Sequence, residues 1–192
     1  ENARLITAII FDKTGTLTEG KPSVTGIFTP HGVEENYALS LATALEKPSE
    51  HPLARAIVAE SEKRNLTIAA ATDFGSLTGS GVKATVENKN VFIGNEKLMI
   101  ENEINITEAN SFVRDHRQKG HTVVFLAQEK SLAGVIAIAD KIKRTTPEAI
   151  RMLKKDGVHV VMLTGDNKET ATAIAKTLGI DEFEADVKPE GK

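Results

Sequence analysis

One short stretch constrains the fold of this chain more than any other, because it joins an apolar run directly to an acidic residue. Ala8 to Phe11 is typical of a buried β-strand, and it is followed by Asp12 and a turn-forming segment, Lys13 to Thr16. A carboxylate at the end of an apolar strand is costly to desolvate unless a charged group meets it. The pattern therefore predicts a site for such a group at the carboxyl end of this strand.

A second strand of the same kind is predicted near the end of the chain. Val158 to Leu163 is a short β-branched run that ends in Thr164-Gly165-Asp166, and helical patterns over 145–157 and 167–179 flank it. Alternating strands and helices with near-continuous apolar strands indicate a parallel α/β sheet. In such sheets the chemistry lies at the carboxyl ends of the strands, which is where Asp12 and Asp166 both fall.

Both of these helical patterns carry signals for their ends. Thr145 lies three residues ahead of Glu148, which is the spacing of a capping box, and Pro147 falls in the first turn. Gly157 and Gly179 are the expected C-terminal stops of the two helices.

The middle of the chain has a different pattern. Helical patterns over 34–45 and 52–64 are followed by alternating runs that meet around Asn88-Lys89, as in a β-hairpin. Two further apolar runs flank the turn-like pair Glu129-Lys130. Short, adjacent, hairpin-joined strands predict an antiparallel sheet with helices in this part of the chain.

The expected fold class is an α/β domain with a parallel sheet, into which an α+β domain with an antiparallel sheet is inserted. The first domain is expected to comprise residues 1–22 and 131–192. The inserted domain is expected to comprise residues 23–130.

Composition excludes several classes of function. The chain has 192 residues and a formal net charge of -3, which gives no electrostatic reason to expect a nucleic-acid partner. It contains no cysteine, which excludes disulfides and thiol nucleophiles, and its five histidines are scattered rather than spaced as metal ligands. Its longest apolar runs, such as 133–139, are far shorter than the roughly 20 residues that a membrane-spanning helix needs.

Asp12 has the surroundings expected of a nucleophile toward a phosphoryl group. The turn after it can supply backbone N–H groups to phosphate oxygens, and Thr14 can add a hydroxyl. The carboxylate can also bind Mg²⁺, whose charge would offset the repulsion between carboxylate and phosphate. Thr164 offers a further hydroxyl and Lys192 a positive charge. These residues predict a site for Mg²⁺ and a transferable phosphate.

The motif DKTGTLT, Asp12 to Thr18, resembles the phosphorylation signature of the P-type ATPases, a branch of the haloacid-dehalogenase-like fold. Five further segments resemble motifs of that family, three of them motifs of its heavy-metal-transporting class. They are MLTGDN (162–167) and KPEGK (188–192), and, for the heavy-metal class, SEHPLARAI (49–57), GSGV (79–82) and GNEKLM (94–99). The resemblance spans essentially the whole chain.

This resemblance implies that ATP phosphorylates Asp12, with Mg²⁺ held by Asp12 and by the backbone carbonyl of Thr14. The residues that it implies around the phosphate are Asp12, Lys13, Thr14, Thr164, Gly165, Asp166 and Lys192. The residues that it implies around the adenine and sugar of ATP are Glu46, His51, Pro52, Gly79, Gly81 and Gly94. The glycines would let a flat base approach the backbone where no Cβ intrudes. His51 can stack on the purine, and Pro52 would fix the turn into the next helix.

Thr14 separates a pump from a phosphatase within this fold. Many phosphatases of the fold place a second Asp two residues after the nucleophile, where it acts as general acid and then as base for attack by water. This chain has Thr14 at that position. An aspartyl-phosphate should therefore persist long enough to drive work, which suits an ion pump.

The sequence thus predicts the cytoplasmic ATP-binding and phosphorylation region of a membrane-embedded heavy-metal export pump, with copper exporters the most similar. The alternatives are a zinc, cadmium or lead exporter, a soluble phosphatase of the same fold, and a module that only binds nucleotide. The expected partners are ATP and, in the same longer chain, an actuator domain and transmembrane helices, while the region itself is expected to be soluble and monomeric. The family's GDGxND motif would follow Lys192, so little or no turnover is expected without it.

Overall fold

The computed structural model describes residues 6–187 of the chain. Its strands, in chain order, are β1 (Ala8–Asp12), β2 (Ser23–Phe28), β3 (Ala71–Leu77), β4 (Gly81–Val86), β5 (Lys89–Gly94), β6 (Thr122–Gln128), β7 (Ser131–Ala139), β8 (His159–Leu163) and β9 (Glu182–Glu184). Its helices are α1 (Glu35–Glu46), α2 (Pro52–Lys63), α3 (Glu96–Glu101), α4 (Asn110–Arg117), α5 (Thr146–Lys155) and α6 (Lys168–Leu178). None of these described helices has the length and apolar character needed to cross a membrane.

The chain divides into two units, and each is described by itself. Unit 1 comprises Glu1–Lys21, Arg117–Thr122 and Asp140–Lys192. Unit 2 comprises Pro22–His116 and Val123–Ala139.

Unit 1 contains a parallel sheet with the strand order β1-β8-β9. β1 and β8 pair from Ala8 opposite His159 to Asp12 opposite Leu163, and β9 pairs with the other edge of β8. Helices α5 and α6 pack against this sheet. Their shared core includes Leu17, Ile150, Val160, Met162, Ile174 and Leu178. The predicted parallel α/β sheet is confirmed, and its register brings the ends of β1 and β8 to one edge.

Unit 2 contains a six-stranded sheet with the order β2-β7-β6-β5-β4-β3. The pairs β2–β7, β3–β4, β4–β5 and β5–β6 are antiparallel, and β6 and β7 are neighbours joined at Glu129-Lys130. Helices α1 and α2 pack on one face through a core that includes Leu39, Ile57 and Ile93. Helices α3 and α4 contribute Leu98 and Val113 to a second core. The predicted antiparallel sheet with helices is confirmed.

Strand β7 is the largest difference between the predicted domains and the two units, which also differ at Pro22 and at Arg117–Thr122. The prediction ended the inserted domain at Lys130, whereas unit 2 includes the whole of β7. Alternate side chains of this strand enter the two cores, with Ile136 and Ile138 on one side and Val135 and Ala137 on the other. A strand buried on both faces has a near-continuous apolar run, which is also the pattern of a strand in a parallel sheet. The sequence pattern therefore could not assign β7 to its sheet.

One local prediction is confirmed and another is wrong. The hairpin predicted around Asn88-Lys89 forms between β4 and β5, and its two turn residues are Glu87 and Asn88, which have the positive φ angles that a tight hairpin turn requires. Thr145 makes no side-chain hydrogen bond to the start of α5, and Glu148 pairs with an arginine one turn further on, so the capping box does not form. The predicted stop of α6 at Gly179 is confirmed, with a left-handed φ of 67°.

Candidate functional site

Strand β1 ends with Asp12 at the carboxyl edge of the parallel sheet. Asp12 is half-buried and lies opposite Leu163, so the segment Thr164-Gly165-Asp166 follows β8 at the same edge. The next residues turn sharply, with φ -75° and ψ 123° at Thr14 and φ 77° and ψ -15° at Gly15. These angles are those of a type II turn, whose third residue favours glycine because its φ is positive.

Lys13 and Asp166 form a buried ion pair at this edge. Lys13 Nζ lies 2.5 Å from Asp166 Oδ2, and both side chains are 8% exposed. Thr164 Oγ1 donates to the same oxygen at 2.9 Å, and Thr122 Oγ1 donates to Asp166 Oδ1 at 2.6 Å. The carboxylate therefore has its charge paired and both of its oxygens hydrogen-bonded, as a buried charge requires.

Opposing effects act on the pKa of Asp166. Burial is the largest effect and would raise this pKa, but the charge of Lys13 and the hydrogen bonds from Lys13, Thr122 and Thr164 together hold it below its ordinary value. Asp166 is therefore ionised at neutral pH and fixes the position of the Lys13 ammonium. The sequence predicted Lys13 around the phosphate with Asp166 close by, and in this structure the ammonium is directed to Asp166.

Glu46 and His51 flank the connection between α1 and α2 in unit 2. Glu46 is the last residue of α1 and is half-buried. Burial raises the pKa of its carboxyl, and a hydrogen bond with the Ser49 side chain offsets part of that rise. The carboxyl of Glu46 therefore holds its proton more readily than an exposed glutamate does.

His51 is the N-cap of α2, and Pro52 begins the helix as predicted. His51 Nδ1 accepts a hydrogen bond from Leu53 N–H at 3.2 Å. Partial burial of the ring, together with the positive charge of Arg55, lowers the pKa of His51. Because Nδ1 accepts, the neutral ring carries its proton on Nε2, which makes Nε2–H the donor that His51 can offer to a ligand.

The glycines singled out by the sequence come together at one end of β4 and β5. Gly81 and Gly94 are cross-strand partners. Asn95 ties the loop between β3 and β4 to this pair, since its backbone N–H donates to Ser80 O and its Nδ2 donates to Gly79 O, both at 2.9 Å. Asn95 is not among the predicted site residues, although an Asn directly before a helical pattern is an N-cap signal, and Asn95 does cap α3.

The reason for glycine differs among these three positions. A Cβ on Gly81 would lie 2.1 Å from Ile93 O, and a Cβ on Gly94 would lie 2.1 Å from Ser80 O. Close packing of two backbones therefore demands glycine at both positions. Gly79 has a φ of 72° and open space around the position of a Cβ. Of the three, only Gly79 fits the expected picture of a glycine that leaves room for a flat ligand.

The predicted site residues thus fall into three groups. One edge of unit 1 holds Asp12 to Thr14 and Thr164 to Asp166, while unit 2 holds the α1–α2 connection and the glycine pair with its loop. Among residues 6–187, no hydrogen bond joins the α1–α2 connection to the glycine pair and its loop. Lys192, with the rest of the KPEGK segment, lies outside the described residues.

Comparison with known proteins gives consistent matches. A model of the haloacid dehalogenase-like hydrolases matches residues 6–192. The chain is 44% identical over 192 residues to a silver exporting P-type ATPase of Salmonella typhimurium, which covers 100% of this chain and 23% of the relative. It is 46% identical over 184 residues to a copper-transporting P-type ATPase of Rhizobium leguminosarum bv. viciae, which covers 96% of this chain and 22% of the relative. The chain therefore spans less than a quarter of the length of these relatives.

A solved structure extends the likeness to three dimensions. The crystal structure of a zinc-transporting PIB-type ATPase in the E2.Pi state matches with a TM-score of 0.68 and 38% sequence identity. The match covers 97% of this chain and 30% of that one. Together these findings confirm the resemblance that the DKTGTLT motif and its companion segments indicate.

Proposed function

Because the chain belongs to the haloacid dehalogenase-like hydrolases, we propose that it is the ATP-binding and phosphoryl-accepting region of a heavy-metal export pump. The observation that carries this proposal is the register of β1 and β8, which sets Asp12 at one edge with the buried residues Thr164 and Asp166. A carboxylate beside an ordered hydroxyl and a paired charge has the chemistry of a phosphoryl acceptor.

Asp12 is the nucleophile of the proposed reaction. One of its carboxylate oxygens bonds to the γ-phosphorus of ATP while the bond from that phosphorus to the β–γ bridging oxygen breaks. ADP leaves with the bridging oxygen, and the product is an aspartyl-phosphate. A carboxylate has no proton to lose, so this step needs no general base and depends on positioning and charge.

The ion pair of Lys13 and Asp166 organises this edge rather than supplying net charge to it. Asp166 neutralises the ammonium, and the two together link the loop after β1 to the end of β8. Thr164 Oγ1 donates its proton to Asp166 and accepts from Asp166 N–H at 3.1 Å. Its hydroxyl would have to rotate in order to donate to a phosphate, and we assign the remaining positive charge of the proposed site to Lys192.

Thr14 favours a pump over a phosphatase. Its side chain is exposed, and it has no acidic proton to give to a leaving group and no basic oxygen with which to activate water at neutral pH. An aspartyl-phosphate on Asp12 would therefore lack an acid–base partner at this position of the loop. Its hydrolysis would wait for a group supplied elsewhere, which in the proposed pump is the actuator domain.

The proposed site suits Mg²⁺ in its donor chemistry. Asp12 offers a carboxylate and Thr14 a backbone carbonyl, and both are hard oxygen ligands of the kind that Mg²⁺ prefers. Residues 6–187 contain no group of three or more His, Asp or Glu side chains that could hold a metal alone. Phosphate and water oxygens would have to complete the coordination, which is usual for Mg²⁺. When bound, the ion would neutralise negative charge on the phosphate.

The adenine and sugar of ATP are proposed to bind unit 2. His51 presents a neutral ring with a donor at Nε2, which suits both stacking and a hydrogen bond to a purine nitrogen. Glu46 lies on the same connection, and Gly79 leaves open space above its backbone. Gly81, Gly94 and Pro52 are proposed to act indirectly, by fixing the shape of the strands and of the helix start.

The cargo is proposed to be copper, with zinc, cadmium or lead as the alternative. The relatives named above are described as exporting silver, transporting copper or transporting zinc, so heavy metal is the class they share. The proposal places this region on the cytoplasmic side of a membrane, in one longer chain with an actuator domain and transmembrane helices.

The phosphoryl-transfer step is tested with radiolabelled ATP on the longer protein that contains this chain. We expect an acid-stable phosphoprotein that hydroxylamine cleaves, and we expect Asp12→Asn to abolish it because the amide is not a nucleophile. Asp156→Asn changes an exposed acid at the end of α5 and serves as the control that keeps the label. Rapid hydrolysis of a generic phosphate ester without a trapped intermediate would instead identify a phosphatase.

The nucleotide site is tested by calorimetric titration of the 192-residue chain with ATP. We expect His51→Ala to weaken binding about tenfold, the effect of losing one contact of roughly 1.4 kcal/mol. His51→Asn is the matched variant, because Asn is a good N-cap and keeps the helix start while removing the ring. Equal binding by wild type and His51→Asn would show that the imidazole has no part in the site.

A further inference from the structure

A carboxylate outside the predicted site holds the segment that follows Asp12. Asp140 comes directly after β7 and belongs to unit 1. Its Oδ2 accepts hydrogen bonds from Thr18 Oγ1 at 2.5 Å and from Gly20 N–H at 3.2 Å, and its Oδ1 accepts from Lys21 N–H at 3.1 Å. One side chain thus orders the chain from residue 18 to residue 21.

Thr18 extends this order into the turn beside Asp12. The residue is fully buried, and its Oγ1 accepts a hydrogen bond from Gly15 N–H at 3.1 Å. The hydroxyl has one proton, which lies within reach of Asp140 Oδ2 at 2.5 Å and of Lys13 O at 3.1 Å. The shorter distance and the negative charge assign that proton to Asp140. A hydroxyl that donates to a carboxylate is also a stronger acceptor, so the two hydrogen bonds reinforce each other.

The orientation of Gly15 N–H decides where the carbonyl of Thr14 points. The two groups belong to one planar trans peptide, in which N–H and C=O point in opposite directions. The turn from Lys13 to Thr16 has type II angles, and a type I turn differs from it by a flip of this central peptide. A partner that captures Gly15 N–H therefore selects one of two directions for the Thr14 carbonyl.

We infer that Asp140, acting through Thr18, is a positioning residue that fixes the Thr14–Gly15 peptide and so aims the Thr14 carbonyl. The inference rests on the proposed function in one respect, since that carbonyl is the oxygen proposed to contact Mg²⁺. Neither Asp140 nor Thr18 touches the phosphate or the metal in this proposal. Their effect reaches the site through one amide and one peptide plane.

Neighbouring contacts support the loop without setting this peptide. Lys143 Nζ donates to Gly15 O at 2.8 Å, and Thr146 Oγ1 donates to Leu17 O at 2.9 Å. Both hold carbonyls on the C-terminal side of the Thr14–Gly15 peptide. These two hydrogen bonds would remain when the hydroxyl of Thr18 is removed. Loss of hydrogen-exchange protection confined to the amide of Gly15 would therefore indicate the Asp140–Thr18 connection.

The first measurement is amide hydrogen exchange of Gly15, followed by NMR in the 192-residue chain. Gly15 is exposed, so its protection depends on its hydrogen bond to Thr18. We expect Thr18→Val to lower the protection of Gly15 about fivefold or more, the equivalent of one ordinary hydrogen bond. Thr18→Ser keeps the hydroxyl and should restore protection. Asp140→Asn, which leaves the buried threonine in place, should lower it by a smaller factor.

The second measurement is a titration with Mg²⁺, followed by the carbonyl ¹³C shift of Thr14. We expect the wild type and Thr18→Ser to respond alike and Thr18→Val to respond less. Unchanged Gly15 protection in both Thr18→Val and Asp140→Asn would overturn the inference. A third outcome is that Gly15 loses protection in Thr18→Val while Mg²⁺ does not shift the Thr14 carbonyl signal of the wild type. That result would uphold the positioning role of Asp140 and Thr18 and would contradict the proposed Mg²⁺ contact.

Discussion

The two units place their candidate functional residues in opposite surroundings. In unit 1, Lys13 and Asp166 are buried charges that satisfy each other and recruit two threonine hydroxyls. In unit 2, His51 lies at the surface with its ring partly buried, and its lowered pKa favours a neutral ring whose Nδ1 caps a helix. One group is therefore part of the core of its unit, whereas the other lies on the surface of its unit.

This difference separates residues that can be changed freely from residues that cannot. Removing one member of a buried ion pair leaves an uncompensated charge, so the fold and the site fail together. Replacing the His51 ring with Asn keeps the helix cap and costs little stability, so a loss of binding in that variant can be interpreted directly. The proposed roles are therefore easier to test in unit 2, and variants in unit 1 need stability controls.

The largest expected effect is the loss of the buried pair. Lys13→Met should lower the free energy of unfolding of unit 1 by about 3–5 kcal/mol, because Asp166 stays buried without its cation. The methyl signal of Met162, which is buried in the core of unit 1, reports this unfolding during a urea titration. Following one unit at a time matters because two units need not unfold together.

Two further variants sharpen this result. Adding Asp166→Asn to Lys13→Met should recover part of the lost stability, because the double variant no longer buries an unpaired charge. Lys154→Met breaks the exposed pair with Asp181 and should change stability far less. If Lys13→Met destabilised unit 1 no more than Lys154→Met does, the buried pair would not hold this edge together.

The second prediction concerns the glycines of unit 2 and tests whether some residues of its candidate site are also needed for packing. Gly81→Ala should destabilise unit 2 by about 3 kcal/mol or more, which is the upper end of the usual cost of overpacking. The reason is that the new Cβ would overlap the backbone oxygen of Ile93, which cannot move alone. Gly79→Ala should cost only about 1–2 kcal/mol, the penalty of a left-handed residue in open space. Urea unfolding followed by the methyl signals of the buried Leu39 measures both. Equal losses would mean that the close approach of β4 and β5 relaxes.

The sequence predicted strands β1 and β8 of unit 1 because their signals are local, but β9 was not predicted. An apolar run that ends in an acid, a second run that ends in Thr-Gly-Asp, and a glycine at 179 each depend on neighbours in the chain. The predicted burial of β1 is wrong, since Ile10 is 61% exposed. Strand β3 was not identified, because its exposed, polar residues and its irregular pairing with β4 leave no clear alternation. The assignment of β7 depended on its partner β2, more than a hundred residues earlier in the chain, and no local pattern records such a pairing.

The candidate site also contains residues that local sequence signals indicate and residues that only the folded structure identifies. Asp12 and the segment from Thr164 to Asp166 were found from sequence because they end strands, and the register then joins them. Thr122 and Asp140 were missed, since each contributes through a contact with a residue far away in the chain. A threonine at a strand start and an aspartate after a strand are common in loops, so only the folded structure distinguishes these two.

The smallest expected effect is also the one that contrasts the two units most directly, because acid should act on them in opposite directions. The pKa of Asp166 is lowered on folding, so its contribution to stability is present above its ordinary pKa of about 3.9 and is lost as the pH falls through the folded value. The pKa of Glu46 is raised, so its contribution is present below its ordinary pKa of about 4.3 and is lost as the pH rises through the folded value. The free energy of unfolding of each unit is measured by urea titration between about pH 3 and pH 6, for the wild type and for Asp166→Asn and Glu46→Gln. The difference between wild type and variant, plotted against pH, gives the slope that each carboxyl contributes. If the contributions of Asp166 and Glu46 changed with pH in the same direction, the contrast between a paired buried carboxylate and one that burial keeps protonated would be wrong.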